Sequence, residues 1–192
     1  MSILTGRSVV LRPPEPEDLA ELRRILNHPA LAGRRNLSGG VADVLPLSTF
    51  DMEQLLDKWR HAPKEPTFVV VTRETGQVVG HAGMGWDWDV HAPWAGVTID
   101  PDQWRRGYGS DALGLLLDFV FGYLPGHCVS CWVPEWNAEG LAFAGAHGYQ
   151  RIGRVRRAGL RDGRVFDTIN FDILRPEWRA RRSEEARDAD RG

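Results

Sequence analysis

Apolar residues recur along this chain with two periods. Ser8–Arg12 (SVVLR) is a short β-branched run closed by Pro13, Pro14 and Pro16, and predicts a first strand. From Glu17 to Asn27, Leu19, Leu22, Ile25 and Leu26 fall three and four apart, the spacing of one helix face, and His28-Pro29 ends that helix. Residues 30–47 are punctuated by Gly and Pro and predict no regular element. Ser48 and Asp51 fit a capping pattern for a second helix carrying Met52, Leu55, Leu56 and Trp59 on one face.

The period then becomes two. Thr67–Thr72 and Gln77 to about Trp86 predict strands joined by a tight turn at Glu74-Thr75-Gly76. Gly80, Gly83 and Gly85 inside the second of these predict a bulge or a close backbone approach. A loop at His91-Ala92-Pro93 leads to a third strand, Trp94–Ile99, completing a meander. The helix predicted from about Ser110 to Leu124 places Leu113, Leu116, Leu117, Val120 and Leu124 on one face. Strand Cys128–Val133, helix Asn137–His147 and strand Tyr149–Val155 follow, and Asp162-Gly163 marks a hairpin turn into strand Val165–Leu174. The order β-α-α-β-β-β-α-β-α-β-β predicts an α+β (mixed α/β) fold with a central mixed sheet: an antiparallel meander, βαβ crossovers and a C-terminal hairpin. It is expected as one domain over residues 1–176, with a charged, flexible tail over 177–192.

Composition narrows the classes. The chain has 192 residues, 42% hydrophobic and 26% charged, so a sizeable core is available. Its formal net charge is −2, which argues against a dedicated nucleic-acid binder. Only Lys58 and Lys64 are lysines; that arginine bias is a mark of genome composition more than of function. No apolar run reaches the ~20 residues a membrane span requires. The N-terminus lacks the order of a signal peptide, and a cytoplasmic protein is expected. Cys128 and Cys131 read C-x-x-C, but residues three apart on a strand point to opposite faces, so core thiols are expected rather than a metal or redox pair.

Trp104-Arg105-Arg106-Gly107-Tyr108-Gly109-Ser110 lies between a strand and a helix. Glycines let successive amides converge on an anion, a helix start adds free N–H groups, and arginines supply forked charge. The loop predicts a pyrophosphate cradle; the plain alternative is a turn with two solvated arginines. Gly107-x-Gly109-x-x-Ala112 also fits a dinucleotide fingerprint, with Glu135 near the end of the next strand. That fingerprint belongs in an early βα unit of a mainly parallel sheet, and here it follows a meander. A nucleotide-dependent oxidoreductase is therefore a minor alternative.

Four blocks in order resemble the GCN5-related N-acetyltransferases (GNAT), and within them the ribosomal-protein N-terminal acetyltransferase (RimJ/RimL) branch. They are SVVLRPPEPEDLAELRRIL, VTIDPDQWRRGYGSDALGLLLDFVF, VPEWNAEGLAFAGAHGYQRIG and AGLRDGRVFDTINFDILRPEW. The resemblance covers roughly residues 7–180. It implies a direct acetyl transfer from acetyl-CoA to a primary amine in a ternary complex, with acetyl-CoA in a splay between Trp94–Ile99 and Cys128–Val133. Backbone groups of Val97 and Ile99 would pair with the pantetheine arm. Amides of Arg106, Gly107, Tyr108, Gly109 and Ser110, with the Arg105 charge, would hold the pyrophosphate, and Asn137, with Phe143 nearby, would meet the pantetheine. No metal is implied. The partners expected are a small-molecule amine, an amino-sugar antibiotic among them, or a protein N-terminus, with no nucleic acid or membrane, and the protein is expected as a monomer or homodimer.

The usual catalytic pair does not carry over. The family's Glu base falls close to Trp94, and its Tyr acid, seven residues after the Asn, falls on Ala144. Substitute bases are His91, Asp87 and Asp89, of which His suits neutral pH and Asp would need desolvation. Ordinary loop polars are the bland reading of all three. Trp86, Trp88 and Trp94 around the same loop suggest an aromatic rim for a cationic amine; core filling is the alternative. His81 and His147 are expected to pack or cap structure, and Glu135 to make a structural hydrogen bond. The missing pair also motivates a second function, a non-catalytic acyl-CoA-binding or regulatory protein of the same fold.

Overall fold

In the computed structural model, which describes residues 4–35, 37, 45–86 and 89–189, the two periods become two kinds of element. The strands are β1 (Leu4–Thr5), β2 (Val9–Arg12), β3 (Thr67–Thr72), β4 (Val78–Gly85), β5 (Trp94–Ile99), β6 (Cys128–Pro134), β7 (Gln150–Arg161) and β8 (Arg164–Leu174). The helices are α1 (Leu19–Leu26), α2 (Thr49–His61), α3 (Tyr108–Tyr123), α4 (Ala138–Ala146) and α5 (Arg175–Ala189). The chain packs as two units, one of Met1–Trp86 with Ala95–Phe119, the other of Asp87–Trp94 with Val120–Gly192.

In the first unit the strands run β1-β2-β3-β4-β5. β1/β2, β2/β3 and β3/β4 pair antiparallel. The prolines after β2 stop the strand, and Asp18 then joins it to α1. The Asp18 carboxylate accepts both Arg12 Nη1 and Nη2 at 2.7 Å, and the Glu15 amide at 2.9 Å. Burial opposes its charge, but these three donors prevail and hold the carboxyl below its ordinary range. α2 starts at the predicted capping box, with Ser48 and Asp51 each bonding the other's backbone amide. Leu22, Ile25 and Leu26 of α1 and Met52, Leu55 and Trp59 of α2 pack with Val69, Val71 and Val78 in one core.

The glycines of β4 have a specific cause at Gly80. The β3/β4 register shifts between Val70 and Val71, which is a bulge, and a Cβ at Gly80 would run into the Thr98 carbonyl oxygen. Next to it His81 is fully buried, its Nε2–H donating to the Arg35 carbonyl at 2.8 Å and its ring 5.3 Å from that of Trp59. Thr98 Oγ1 donates to the same carbonyl at 2.9 Å. His81 packs structure, as expected.

In the second unit the strand order is β6-β8-β7, antiparallel throughout, and Trp94, the first residue of β5, pairs parallel with Ser130 of β6. The fold is thus α+β with mixed pairing, as the order of elements predicts. Asp162 and Gly163 take φ of 50° and 73°, the double left-handed turn that an Asp-Gly hairpin requires.

Three segments differ from expectation. β1 is an added two-residue strand. β7 continues to Arg161, past a bulge at Arg157 where φ is 54°. The charged segment expected as a flexible tail over 177–192 is, among the described residues, part of the helix Arg175–Ala189: Trp178 is buried, and Arg175 donates to the Leu124 and Gly126 carbonyls. Ion pairs of Glu185 with Arg181 and Arg182 support its later turns. Cys128 and Cys131 are free and half-buried rather than fully buried. Burial pushes the Cys131 thiol up to about 12, which removes thiolate reactivity at neutral pH.

Gly80→Ala forces a β-carbon into backbone and is expected to cost about 3 kcal/mol, read as a lowered denaturant midpoint with unchanged slope. Burial drives the His81 imidazole down to about 4 from 6.5. The unfolded chain then binds a proton that the folded chain refuses, so this contribution is complete above pH 6.5 and fades as pH falls toward 4. The loss over that window is about 3 kcal/mol. Unfolding free energies measured across it are expected to fall less steeply, by about one proton, in His81→Phe than in the parent chain.

Candidate functional site

The predicted anion loop is built in the first unit from the end of β5 into α3. Asp100, buried, ends the strand and pairs with Arg24, which also holds Glu21. Asp100 Oδ1 accepts the Asp102 amide at 3.1 Å and opens a tight turn over Pro101–Gln103. The Trp104 indole N–H then donates to the Ile99 carbonyl at 2.8 Å, folding the loop back on the strand. Arg105 and Gly107 take φ of 63° and 83°. Left-handed residues alternating with ordinary ones turn successive amides to one side, the geometry of an anion nest. The first intrahelical bond of α3 is Asp111 N–H to the Gly107 carbonyl at 3.0 Å. The amides of Tyr108, Gly109 and Ser110 therefore precede the helical ladder, at the positive end of the helix dipole. Arg105, Arg106, Gly107 and Ser110 are exposed.

One residue here escaped the sequence reading. Asp111 lies in the first turn of α3, where its charge would oppose a bound phosphate. The structure turns it away: Oδ2 accepts the Ser8 amide at 2.7 Å, the Val9 amide at 3.0 Å and Ser8 Oγ at 3.0 Å, while Oδ1 accepts the Arg7 amide at 3.2 Å. Desolvation pushes its carboxyl upward, but those amides outweigh it and lower the pKa. Gly6 is required beside it, because a Cβ there would meet the carboxylate at 2.5 Å. An acid in the first turn of an anion-loop helix was the available signal.

Val97 and Ile99 take their positions from the β4 register. The Asp100 amide donates to the Val79 carbonyl at 2.8 Å and the Thr98 carbonyl lies against Gly80. Val97 and Ile99, one residue out of phase, turn their backbone groups to the other edge of β5. The Ile99 carbonyl is already engaged by Trp104, so only its N–H stays available there.

In the second unit Asn137 caps α4, its Oδ1 accepting the Gly140 amide at 3.2 Å. Gly140 lets it approach, since a Cβ there would meet Asn137 Nδ2 at 2.5 Å. The cap occupies the carbonyl oxygen and leaves Nδ2 as a donor. Phe143 stacks on His147 at 4.2 Å, and His147 Nδ1–H donates to the Phe143 carbonyl at 2.7 Å, closing α4. Ala144 is buried and has no proton to give. Glu135 accepts the Asp167 amide at 2.9 Å, the expected structural bond.

Asp89 and His91 come together. Asp89 Oδ1 accepts the His91 amide at 2.8 Å and ring Nδ1–H at 2.7 Å. Those two bonds, the amide first, hold the Asp89 carboxyl below its ordinary range. The ring proton is thereby fixed on Nδ1, and Nε2 becomes the basic atom. Both side chains are about half exposed. The His91 carbonyl also accepts the His127 amide at 2.7 Å. Asp87 and Trp88 lie outside the described residues. Trp86 is half-buried, its amide donating to the Lys64 carbonyl at 3.1 Å. Trp94 is buried, edge-on to Trp132 at 5.9 Å.

A family model described as an acetyltransferase (GNAT) domain matches residues 8–150. A curated relative, the uncharacterized N-acetyltransferase p20 of Bacillus licheniformis, is 24% identical over 179 residues, 93% of this chain and 99% of that one. Among solved structures, a GNAT-family acetyltransferase from Bacillus anthracis superposes with a TM-score of 0.78 at 16% identity, covering 91% of this chain and 99% of that one. Spermidine N-acetyltransferase from Vibrio cholerae in complex with CoA and spermine gives 0.75 at 19% identity, over 88% and 97%. The two solved structures show the shared fold.

The space around Gly107 is open, so a side chain there strains the backbone without meeting neighbours. Gly107→Val is expected to fold while pulling φ out of the left-handed region and turning the amides away. Saturating acetyl-CoA, at 100 times its Kd, stabilises a binder by about 2.7 kcal/mol. The resulting Tm rise of several degrees is expected in the parent chain and lost in Gly107→Val.

Proposed function

The chain belongs to the GNAT acetyltransferase family and is an N-acetyltransferase, and from that premise we propose that its acceptor is a primary amine, attacked directly in a ternary complex with His91 as general base. The family uses acetyl-CoA as acetyl donor. The proposed cradle for its pyrophosphate is the run of amides from Arg106 to Ser110 with the charge of Arg105. Val97 of the first unit and Asn137 Nδ2 and Phe143 of the second are the proposed pantetheine partners.

The observation that carries the base is the pair of bonds from His91 to one Asp89 oxygen. An ammonium must lose a proton before it can attack. His91 Nε2 takes that proton, and Asp89 orients the ring and stabilises the imidazolium that forms. The amine nitrogen then bonds the acetyl carbon, the C–S bond breaks, and CoA leaves as thiolate. Position 144 is Ala, so the thiolate is protonated without a side chain at that place. Positioning of amine and thioester supplies the larger share of the rate.

Within this class the acceptor is a small-molecule amine, an amino sugar among them, or a protein N-terminus. The four sequence blocks favour the RimJ/RimL branch. The fold shared with a spermidine acetyltransferase adds polyamines to the panel. Thiol release from acetyl-CoA, measured over N-terminal peptides, aminoglycosides and polyamines, tests the reading: turnover of at least one class supports it, and release with none overturns it. With the best amine, His91→Ala is expected to lower kcat/KM by about 10²–10⁴-fold. Added imidazole is expected to restore part of that loss. Asp89→Asn is expected to cost less, because it orients rather than reacts.

A further inference from the structure

One face of the second unit's sheet gathers aromatic and acidic groups that no role above uses. The ladder sets Trp94, Ser130, Asp172 and Gln150 side by side, because Ser130 pairs with Trp94 on one side and Asp172 on the other, and Asp172 pairs with Gln150. Paired residues on neighbouring strands point to the same face, with side chains about 5 Å apart. The adjoining row on that face is Trp132 and Asn170. Residues one out of phase, Val129, Cys131 and Val133 with Ile173, Phe171 and Ile169, point to the opposite face, where all but Cys131 are buried.

That face carries two indoles, one exposed and one buried. Trp132 is 52% exposed and meets the buried Trp94 edge-on. Asp172 is half-buried, and among the described residues its carboxylate makes no hydrogen bond or ion pair. The charged group that acts on it is an acid. Glu177 is held beside it by the Gln150 Nε2 donor at 2.5 Å and the Leu174 amide at 2.8 Å. Partial burial first, and then Glu177, push the Asp172 carboxyl up from its ordinary range. A half-buried carboxylate next to another acid gains most from an incoming cation, and an indole face attracts that cation further.

We propose that Asp172 and Trp132 hold a second protonated amine of the acceptor, so that the enzyme selects di- or polycationic amines over monoamines. The ammonium donates to the Asp172 carboxylate, with Asn170 and Ser130 as neutral acceptors nearby, and lies against the Trp132 ring. The inference rests on the amine-acceptor reading above and names its substrate class. Nothing covalent occurs at this place; the reacting amine is a different one.

The test compares straight-chain alkylamines with α,ω-diamines of three to eight carbons, in the parent chain, Asp172→Asn, Trp132→Leu and Glu74→Gln. Glu74 is exposed in a turn of the other unit. The expected result is a diamine-over-monoamine ratio of kcat/KM of about tenfold or more at the best length. That preference is expected to collapse in Asp172→Asn through KM, to shrink in Trp132→Leu, and to stand in Glu74→Gln. An unchanged ratio in Asp172→Asn overturns the proposal. Calorimetric titration of the best-length diamine into the full chain reads the site without turnover. Binding that Asp172→Asn weakens about tenfold supports the site even where no amine is acetylated, and no diamine binding by the parent chain overturns it even where monoamines are turned over.

Discussion

A single carboxylate anchors the start of α3. Asp111 gathers the amides of three successive residues, Arg7, Ser8 and Val9, and the Ser8 hydroxyl. This ties the start of α3 to the turn between β1 and β2. It also turns a negative charge away from the free amides of the loop. Without that arrangement the first turn of α3 would present an acid beside its own free amides, and the dipole that favours an anion would be largely cancelled. With it, the amides of Tyr108, Gly109 and Ser110 and the two arginines are the groups the loop offers outward. The pairing of buried Asp100 with Arg24 fixes the other end of the loop, where β5 stops.

The second unit shows the same economy of polar groups. Asn137 uses its oxygen to cap α4 and keeps its amide nitrogen for another partner. Asp89 uses one oxygen for both the backbone and ring of His91, so the imidazole is oriented within a loop by two residues of local sequence. The positions that match the family's usual acid and base carry Ala144 and, close by, Trp94 instead.

Periodicity located most elements because their apolar faces repeat at fixed spacing. The strand runs Thr67–Thr72 and Trp94–Ile99 and the Ser48 capping box appear as read. The Arg175–Ala189 helix was hidden because its stability comes from a single buried Trp178, an arginine reaching the Leu124 and Gly126 carbonyls, and charge pairs spaced three and four apart. Its composition resembles that of a solvated segment. The Gly80 bulge was legible as a glycine run, but its cause, the approach of the Thr98 carbonyl, depends on the β4–β5 register.

The chain's own order of residues determined the class of the fold, the glycine- and arginine-bearing loop before α3, and the nearness of Asp89 to His91. Each is a matter of neighbours within a few positions, where backbone geometry and hydrogen-bond reach act directly. Only the tertiary structure decided the fate of Asp111, which finds its partners more than a hundred residues away, and the company of Asp172, which the ladder sets between Ser130 and Gln150 and diagonal to Trp132. Side chains brought together by strand register share a face because the pleat alternates, and no local spacing in the sequence records which strands lie side by side.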